Sequence, residues 1–287
     1  MSRRLRTSQG ATVELHSDVL SLERDDHVAT LWLNRPDARN AMGRAFWRDL
    51  PLACAALQDD EEVRVVVVAA RGTDFSVGLD LKEMGGDLVG GDVATSPARA
   101  NERTYGAVRA MQGALQALAD LRVPVIAAVH GWCIGGGVDL ISACDIRLAA
   151  GDATFSLREV KVAIVADVGS LQRLPAIIGA GHLAQLALTG EDIDAARARR
   201  IGLVNDVHGA SGSDVLDAAR RLASAVAANS PWAVRGTKAI LRHRDERRIA
   251  DELDFVARWN TMYLRTNDLG EAITAFLEHR EPVFRGD

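Results

Sequence analysis

Aromatic residues make up only 5% of the 287 positions, so any core must be assembled from Ala, Val, Leu and Ile. Cysteine is equally scarce. The three thiols, Cys54, Cys133 and Cys144, are odd in number and fit a reducing cytoplasm better than a disulfide framework. No apolar run reaches the roughly 18 residues that a membrane span requires. The Arg-rich start, MSRRLRTSQGATVELHSDVL, lacks the hydrophobic stretch of a secretory signal, and the terminal FRGD is no peroxisomal or lipidation signal. Basic charge is not in excess either: a formal net charge of −5 and a pI near 5.8 argue against a nucleic-acid surface. Repeats and low-complexity tracts are missing. So are His/Cys spacings suited to a metal, the dinucleotide and Walker glycine fingerprints and the G-x-S-x-G nucleophile elbow. Neither a metal nor a separate cofactor is expected.

What is present is the balance of a globular protein with a full core: 48% apolar, 25% charged and a mean hydropathy of zero. The length is about two domains' worth at ~150 residues each. Residues 27–34 (HVATLWLN) alternate like a strand, and 63–70 (VRVVVVAA) and 124–130 (PVIAAVH) read as strands buried on both faces of a parallel or mixed sheet. Shorter strands are expected at 145–149 and 153–157, and amphipathic helices at 43–58 and 98–121. Between them, 72–97 is rich in Gly and Asp and is expected to be a mobile loop holding a short helix. After the GASGS stretch at 209–213 everything is helical: 214–228, a helix started by Pro231, then 249–264 and 268–279. The chain therefore divides into an α/β core over 1–210 and an all-helical region over 211–287. A helical tail of this length buries its apolar stripes against the core or against neighbouring subunits.

Three local features carry the chemistry. Phe75 to Leu81 (FSVGLDL) follows one buried strand; Gly135 to Asp139 (GGGVD) follows another and opens a helix; and Glu159 to Asp167 joins a short strand to a helix. Glycines at a strand-to-helix turn let main chain approach a ligand and leave N–H groups free to donate. Two such amides converging on one oxygen make an oxyanion hole, although a lone GGG also serves as a plain structural turn. The acids have plain readings as well. Asp139 sits in a helix's first turn, where the dipole favours a carboxylate; Asp167 stands where an N-cap could; Glu159 lies between Arg158 and Lys161. His130, Cys133 and Cys144 read as packed residues rather than a base or nucleophiles, and Ser142 and Ser170 lack an activating setting.

Taken together, RPDARNAM, FSVGLDLKEM, AAVHGWCIGGGVDLISACDIRLAA, FSLREVKVAIVADVGSLQRLP and ALTGEDIDAARARRIGLVNDV resemble the crotonase (enoyl-CoA hydratase/isomerase) superfamily, in order and with spacings intact from about residue 20 to 280. The resemblance implies a ClpP/crotonase-like α/β spiral of ββα units with a C-terminal helical oligomerisation region. It further implies an acyl-CoA thioester substrate, a homotrimer or a hexamer built as a dimer of trimers, and no nucleic-acid or membrane partner. By motif position, the amides of Leu79 and Gly136 would bind the thioester oxygen. Ala38 and Ala41, with Val77, Gly78, Leu79, Asp80 and Leu81, would line the CoA and substrate site beside Gly136, largely through main chain. Hydratases of the family usually carry glutamates at two positions, which are Asp139 and Glu159 here; a third acid, Asp167, stands where hydratases typically have glycine. The trio Asp139, Glu159, Asp167 is similar to the Δ3,5-Δ2,4-dienoyl-CoA isomerase branch, whose reaction belongs to fatty-acid β-oxidation. It implies Glu159 as base at C2, Asp167 as proton donor at C6 and Asp139 tuning both. An enoyl-CoA hydratase or monoenoyl-CoA isomerase is the alternative, and a non-catalytic acyl-CoA-binding scaffold the alternative of another class.

Overall fold

The computed structural model describes residues 15–89 and 96–287. The Arg-rich start and positions 90–95 of the expected loop lie outside the described residues. Two sheets organise the chain. In the larger, β1 (Leu20–Asp25) and β2 (Val28–Leu33) form an antiparallel hairpin turning at Asp26, whose φ is +51°. Then β3 (Val65–Ala70), β4 (Val125–Val129), β6 (Ile146–Ala149) and β9 (Asp206–Val207) add in parallel, in the order β1-β2-β3-β4-β6-β9. The smaller sheet joins β5 (Trp132–Ile134), β7 (Thr154–Ser156) and β8 (Asp192–Asp194), the first pair parallel and the second antiparallel.

A strand's alternation explains why β3 and β4 read as unbroken apolar runs. Val66, Val68 and Ala70, with Val125, Ala127 and Val129, enter the main core; Val65, Val67, Ala69, Ile126 and Ala128 enter a second core on the opposite face. The main core is closed by α1 (Arg44–Asp59) and α3 (Pro97–Ala119), which bury Phe46, Leu50, Ala53 and Leu57 against Val108, Met111, Leu115 and Leu118. The second is closed by α9 (Gly212–Ala227), through Val215, Ala218, Ala219, Ala223 and Ala227. Ser211 and Asp214 form a capping box that starts α9 against the sheet, so the GASGS stretch is a helix start.

The chain winds as repeated units. Strand β3 hands over to the extended segment 76–79 and then to α2 (Leu81–Val89), and β4 to β5 and α4 (Gly136–Ser142). Parallel bridges between Met42 and Leu79 and between Ser76 and Cys133 continue the small sheet across these turns. This is the mixed α/β spiral that the motifs implied. The hairpin strand β1, an alternating LSLERD, and the short strands β5, β8 and β9 stand in addition to the expected elements.

Beyond β7 come a 3-10 turn (Glu159–Val162), α5 (Ser170–Arg173), α6 (Pro175–Ile178), α7 (Ala180–Thr189) and α8 (Ala195–Arg200). The last three helices are α10 (Pro231–His243), α11 (Glu246–Tyr263) and α12 (Asn267–Glu278). Helix α11 lies across α3 and α5, and α12 packs on α2 and the 3-10 turn.

Candidate active site

The seam between the 76–81 loop and the GGG turn is built main chain to main chain. Met42 donates its N–H to Gly78 O (2.8 Å) and accepts at its own carbonyl from Asp80 N–H (3.1 Å). In such a parallel bridge the intervening Leu79 directs its N–H to the other side. Gly78 has φ +82°, and a Cβ there would stand 2.8 Å from Ile134 O and 3.2 Å from Gly136 N. Only glycine permits both the conformation and the approach. From the facing side, a Cβ on Gly136 would stand 3.7 Å from Leu79 N. Gly136 opens α4, so its N–H has no partner within the helix. Among the described residues neither the Leu79 nor the Gly136 amide donates to a protein acceptor. Two free N–H groups thus flank one seam, which is what binding a developing oxyanion needs.

Side chains brace this seam. The Ser76 hydroxyl, fully buried, donates to Asn40 O (2.8 Å) and accepts from Gly78 N–H (3.1 Å). Arg35 donates to Ala41 O (3.1 Å) and to Asp80 Oδ2 (2.6 Å), clamping the 35–42 loop to the 76–81 loop. Within the first loop, Ala41 N–H donates to Ala38 O (3.0 Å); in the second, Val77 N–H donates to Arg39 O (3.2 Å). Asp80 Oδ1 accepts from the Lys82 and Glu83 amides (3.1 Å each) as α2 begins at Leu81. Burial acts against the Asp80 charge, but Arg35 and these amides hold its carboxyl below the usual range. Its side chain is therefore fully engaged, and its main chain is bonded as well, the N–H to Met42 O and the carbonyl to Met84 N–H (2.8 Å). Asp80 thus shapes the loop and offers no free polar group to a ligand.

The three acids converge on the other flank of the GGG turn. Asp139, 1% exposed on α4, accepts from the Ser170 amide at 2.5 Å. Burial lifts its pKa to about 6 against the pull of Ser170 and of the buried Arg173 guanidinium. Glu159 sits on the 3-10 turn, and a Cβ on Gly135 would stand 3.2 Å from its Oε1. The residue is only partly covered, yet its Oε2 is out of solvent's reach and has no hydrogen-bond partner. Burial, then the neighbouring Asp139 and Asp167 charges, push Glu159 up to about 8. Asp167, lifted to about 7 by burial and by Asp139, accepts at Oδ2 from Asn260 Nδ2 at 2.6 Å. Asp139 thus raises both of the others and Asp167 raises Glu159: the three share one pocket of charge, as groups tuned for proton transfer do.

Asp139 does stand in the first turn of α4, as its plain reading has it; the plain readings of the other two acids do not describe what they touch. Asp167 is not a cap, because the N-cap of α5 is Gly169 and no side chain caps it. Arg158 pairs with Asp192 at 2.6 Å and not with Glu159. His130 is a packed histidine whose Nε2 meets Gly72 O at 3.0 Å. Burial drives the Cys144 thiol up to about 12 and raises Cys133 well above its ordinary value, so both are inert core residues. Ser142 donates back to Asp139 O at 2.6 Å, inside its own helix.

Sequence reasoning missed Arg35, Ser76, Gln112, Arg173 and Asn260. Two of these left a signal. Gln112 interrupts the apolar stripe Val108, Met111, Leu115 of α3, and Asn260 interrupts Leu253, Val256, Ala257 of α11; both are 2% exposed. A lone amide on a buried stripe marks a polar group that it must satisfy.

Comparison with known proteins points the same way. The sequence pattern of the enoyl-CoA hydratase/isomerase family matches residues 23–287. The mitochondrial Δ3,5-Δ2,4-dienoyl-CoA isomerase of Dictyostelium discoideum is 41% identical over 268 residues, covering 93% of this chain and 91% of that one. The peroxisomal Δ3,5-Δ2,4-dienoyl-CoA isomerase of Arabidopsis thaliana is 39% identical, covering 93% and 96%. Among solved structures, an enoyl-CoA hydratase/isomerase from Mycobacterium paratuberculosis superposes with a TM-score of 0.79 at 28% identity, over 90% of this chain and 98% of that one. With the ββα spiral, the facing amides and the match along nearly its whole length, the chain belongs to the enoyl-CoA hydratase/isomerase family.

Proposed function

We propose that the protein is a dienoyl-CoA isomerase of fatty-acid β-oxidation, converting 3,5-dienoyl-CoA to 2,4-dienoyl-CoA. The observation that carries the reading is Asp167, a third acid whose carboxyl is fixed by Asn260 beside Glu159 and Asp139. The reaction takes a proton from C2 and delivers one to C6. An acid or base must lie about 2.6–3.2 Å from the proton it moves, so one carboxyl cannot serve both carbons without swinging. Glu159 takes the C2 proton. The electron pair moves into the C2–C3 bond, the double bonds shift along the chain, and C6 receives the proton of Asp167. Leu79 and Gly136 amides hold the thioester oxygen while it carries the charge, and one such donor is worth about 2.7–4 kcal/mol. Asp139, anchored to Ser170, tunes its two neighbours. Glu159 then loses its proton and Asp167 regains one, restoring the starting state. Protons move and no electrons are transferred to an acceptor, so the chemistry calls for no cofactor beyond the CoA of the substrate.

Both carboxyls are raised into the range of proton transfer near neutrality, Asp167 to about 7 and Glu159 to about 8. Glu159 stands the higher of the two, so the base and acid roles rest on position and not on these values. An absorbance assay tests the reading. With 3,5-dienoyl-CoA the conjugated 2,4-diene chromophore should grow in at enzymic rates. Fast hydration of 2-enoyl-CoA with an inert diene would instead make the protein a hydratase.

The assembly is proposed to be a trimer, or two trimers paired into a hexamer. Of the tail's apolar positions, Leu253, Val256, Leu264, Leu269 and Ile273 are buried within the chain, whereas Met262 (63%), Phe276 (41%) and Leu277 (55%) are exposed. Phe255, Trp259 and Tyr263 form an exposed aromatic ladder on α11, with successive ring centroids 6.5 and 4.6 Å apart. So much apolar surface along one helical region supports burial between subunits. Light scattering at micromolar concentration should give three or six times the 30.8 kDa chain mass; a monomer would refute the assembly. Cytoplasmic placement is retained on the strength of the three unpaired cysteines.

A further inference from the structure

Asn260 is buried on α11 and its side-chain amide is committed in one orientation. Nδ2 lies 2.6 Å from Asp167 Oδ2 and 2.9 Å from Val165 O. A backbone carbonyl can only accept, so the nitrogen of the amide, not its oxygen, faces this loop. Asn260 is therefore a fixed donor to one oxygen of the Asp167 carboxyl. The loop's main chain is pinned at the same point. Gln112 of α3 donates to Asp167 O at 2.6 Å and to Leu253 O at 2.9 Å, tying α3, the loop and α11 together.

We propose that Asn260 is the positioning residue of the remote proton transfer: by holding Oδ2 of Asp167 it leaves Oδ1 to carry the proton delivered to the far carbon of the substrate. A carboxyl oxygen that already accepts a hydrogen bond is the poorer place for the acid proton, so the proton resides on the other oxygen. The proposal rests on the dienoyl-isomerase reading for its substrate, but the orientation of the carboxyl does not depend on it. The charged groups acting on Asp167 are Asp139 of α4 and Glu159 of the 3-10 turn, with Arg173 of α5 acting through Asp139. From α3 and α11 the groups in contact are the neutral Gln112 and Asn260. Burial raises Asp167, and the Asn260 bond is the largest influence opposing that rise, because it favours the charged form. Its removal therefore moves Asp167 further upward and keeps it protonated to higher pH.

The test uses the full-length protein in its native assembly with Asn260→Leu, which keeps the volume and deletes the donor, and Asn260→Asp, which keeps the shape and replaces the donor with a second acid. The Asp167 carboxyl is titrated by carbon-13 NMR, assigned with Asp167→Asn. Isomerisation of 3,5-dienoyl-CoA is followed against pH, and exchange of the C2 proton with deuterated solvent is followed in parallel. In both variants Asp167 should titrate higher than in the wild type, and the alkaline limb of the isomerisation profile should move up with it. Isomerisation should fall roughly tenfold relative to C2 exchange, with KM little changed. An unshifted Asp167 titration in folded Asn260→Leu overturns the proposal. Equal losses of isomerisation and exchange also overturn it, since a merely structural residue would give that result. Should Asn260→Leu fail to fold, the same titration in Asn260→Asp decides. A wild type inert toward 3,5-dienoyl-CoA takes down the substrate reading and the transfer role together. A failure of Asn260 alone shows instead as an active wild type whose variants titrate and isomerise as before.

Discussion

Replacing Glu159 with Gln should abolish dienoyl isomerisation and C2 proton exchange together. Both steps begin at the same C–H bond, and Gln cannot accept the proton. The loss should be at least the 10²- to 10⁴-fold typical of a general base, because no second carboxyl takes over. Asp139 is held by the Ser170 amide, and Asp167 by Asn260. Substrate binding through the Leu79 and Gly136 amides should persist, so the variant should retain a thioester affinity near that of the wild type. The same substitution reports on stability. In the folded protein Glu159 is raised to about 8 from an ordinary 4.5, so across that window the native state holds a proton the unfolded chain has released. Stability therefore declines as pH rises through the window. Gln carries no charge and escapes this term. Thermal unfolding should find Glu159→Gln melting higher than the wild type at pH 8 and close to it at pH 4. Asp139 and Asp167 stay buried in both proteins, so the difference between the two curves reports the Glu159 charge together with its coupling to them. A variant that still exchanges the C2 proton at the wild-type rate would remove Glu159 from the base role.

The sequence made the large elements legible because their periods are long enough to read. The runs now seen as β3 and β4 are flanked by core on both faces, and the stripe of α1 and that of α3 meet along the main core, as their spacings require. The glycine turn was visible as a local pattern, and the three acids through the family resemblance, by their spacing from that turn. Strands of two or three residues, such as β9 and β5, carry no period and gave no signal of their own. Partners brought by the fold were also hidden. Asn260 is 93 positions from Asp167, and Gln112 is 55 positions from it on a different helix. Arg35 reaches Asp80 across 45 positions. What the sequence did hold was the anomaly of a single polar residue on a buried helical stripe. Tertiary packing explains that anomaly: each amide satisfies carbonyls of a loop that has no strand or helix to bond with.

Asp167→Asn should separate the two halves of the reaction. The substitution keeps the side chain's size, and because Asp167 caps no helix, no cap is lost. The Asn260 donor still finds an oxygen in the new amide, so the loop at Val165 to Asp167 should keep its place. What disappears is the acid that supplies the proton at C6. Isomerisation of 3,5-dienoyl-CoA should fall by roughly 10²- to 10⁴-fold. C2 exchange with deuterated solvent needs only Glu159 and the two amides, so it should survive, and loss of a neighbouring charge should make Glu159 easier to ionise. That last effect has a definite sign: Asp167 contributes to raising Glu159, and a neutral amide removes the contribution. The pH at which exchange reaches half its maximum should accordingly move downward in Asp167→Asn. A hydratase would behave differently, leaving hydration of 2-enoyl-CoA nearly untouched by the substitution and showing no substantial diene activity beforehand. If Asp167→Asn isomerises dienes at the wild-type rate, the third acid only shapes the loop, and the proton at C6 comes from Glu159 or from water.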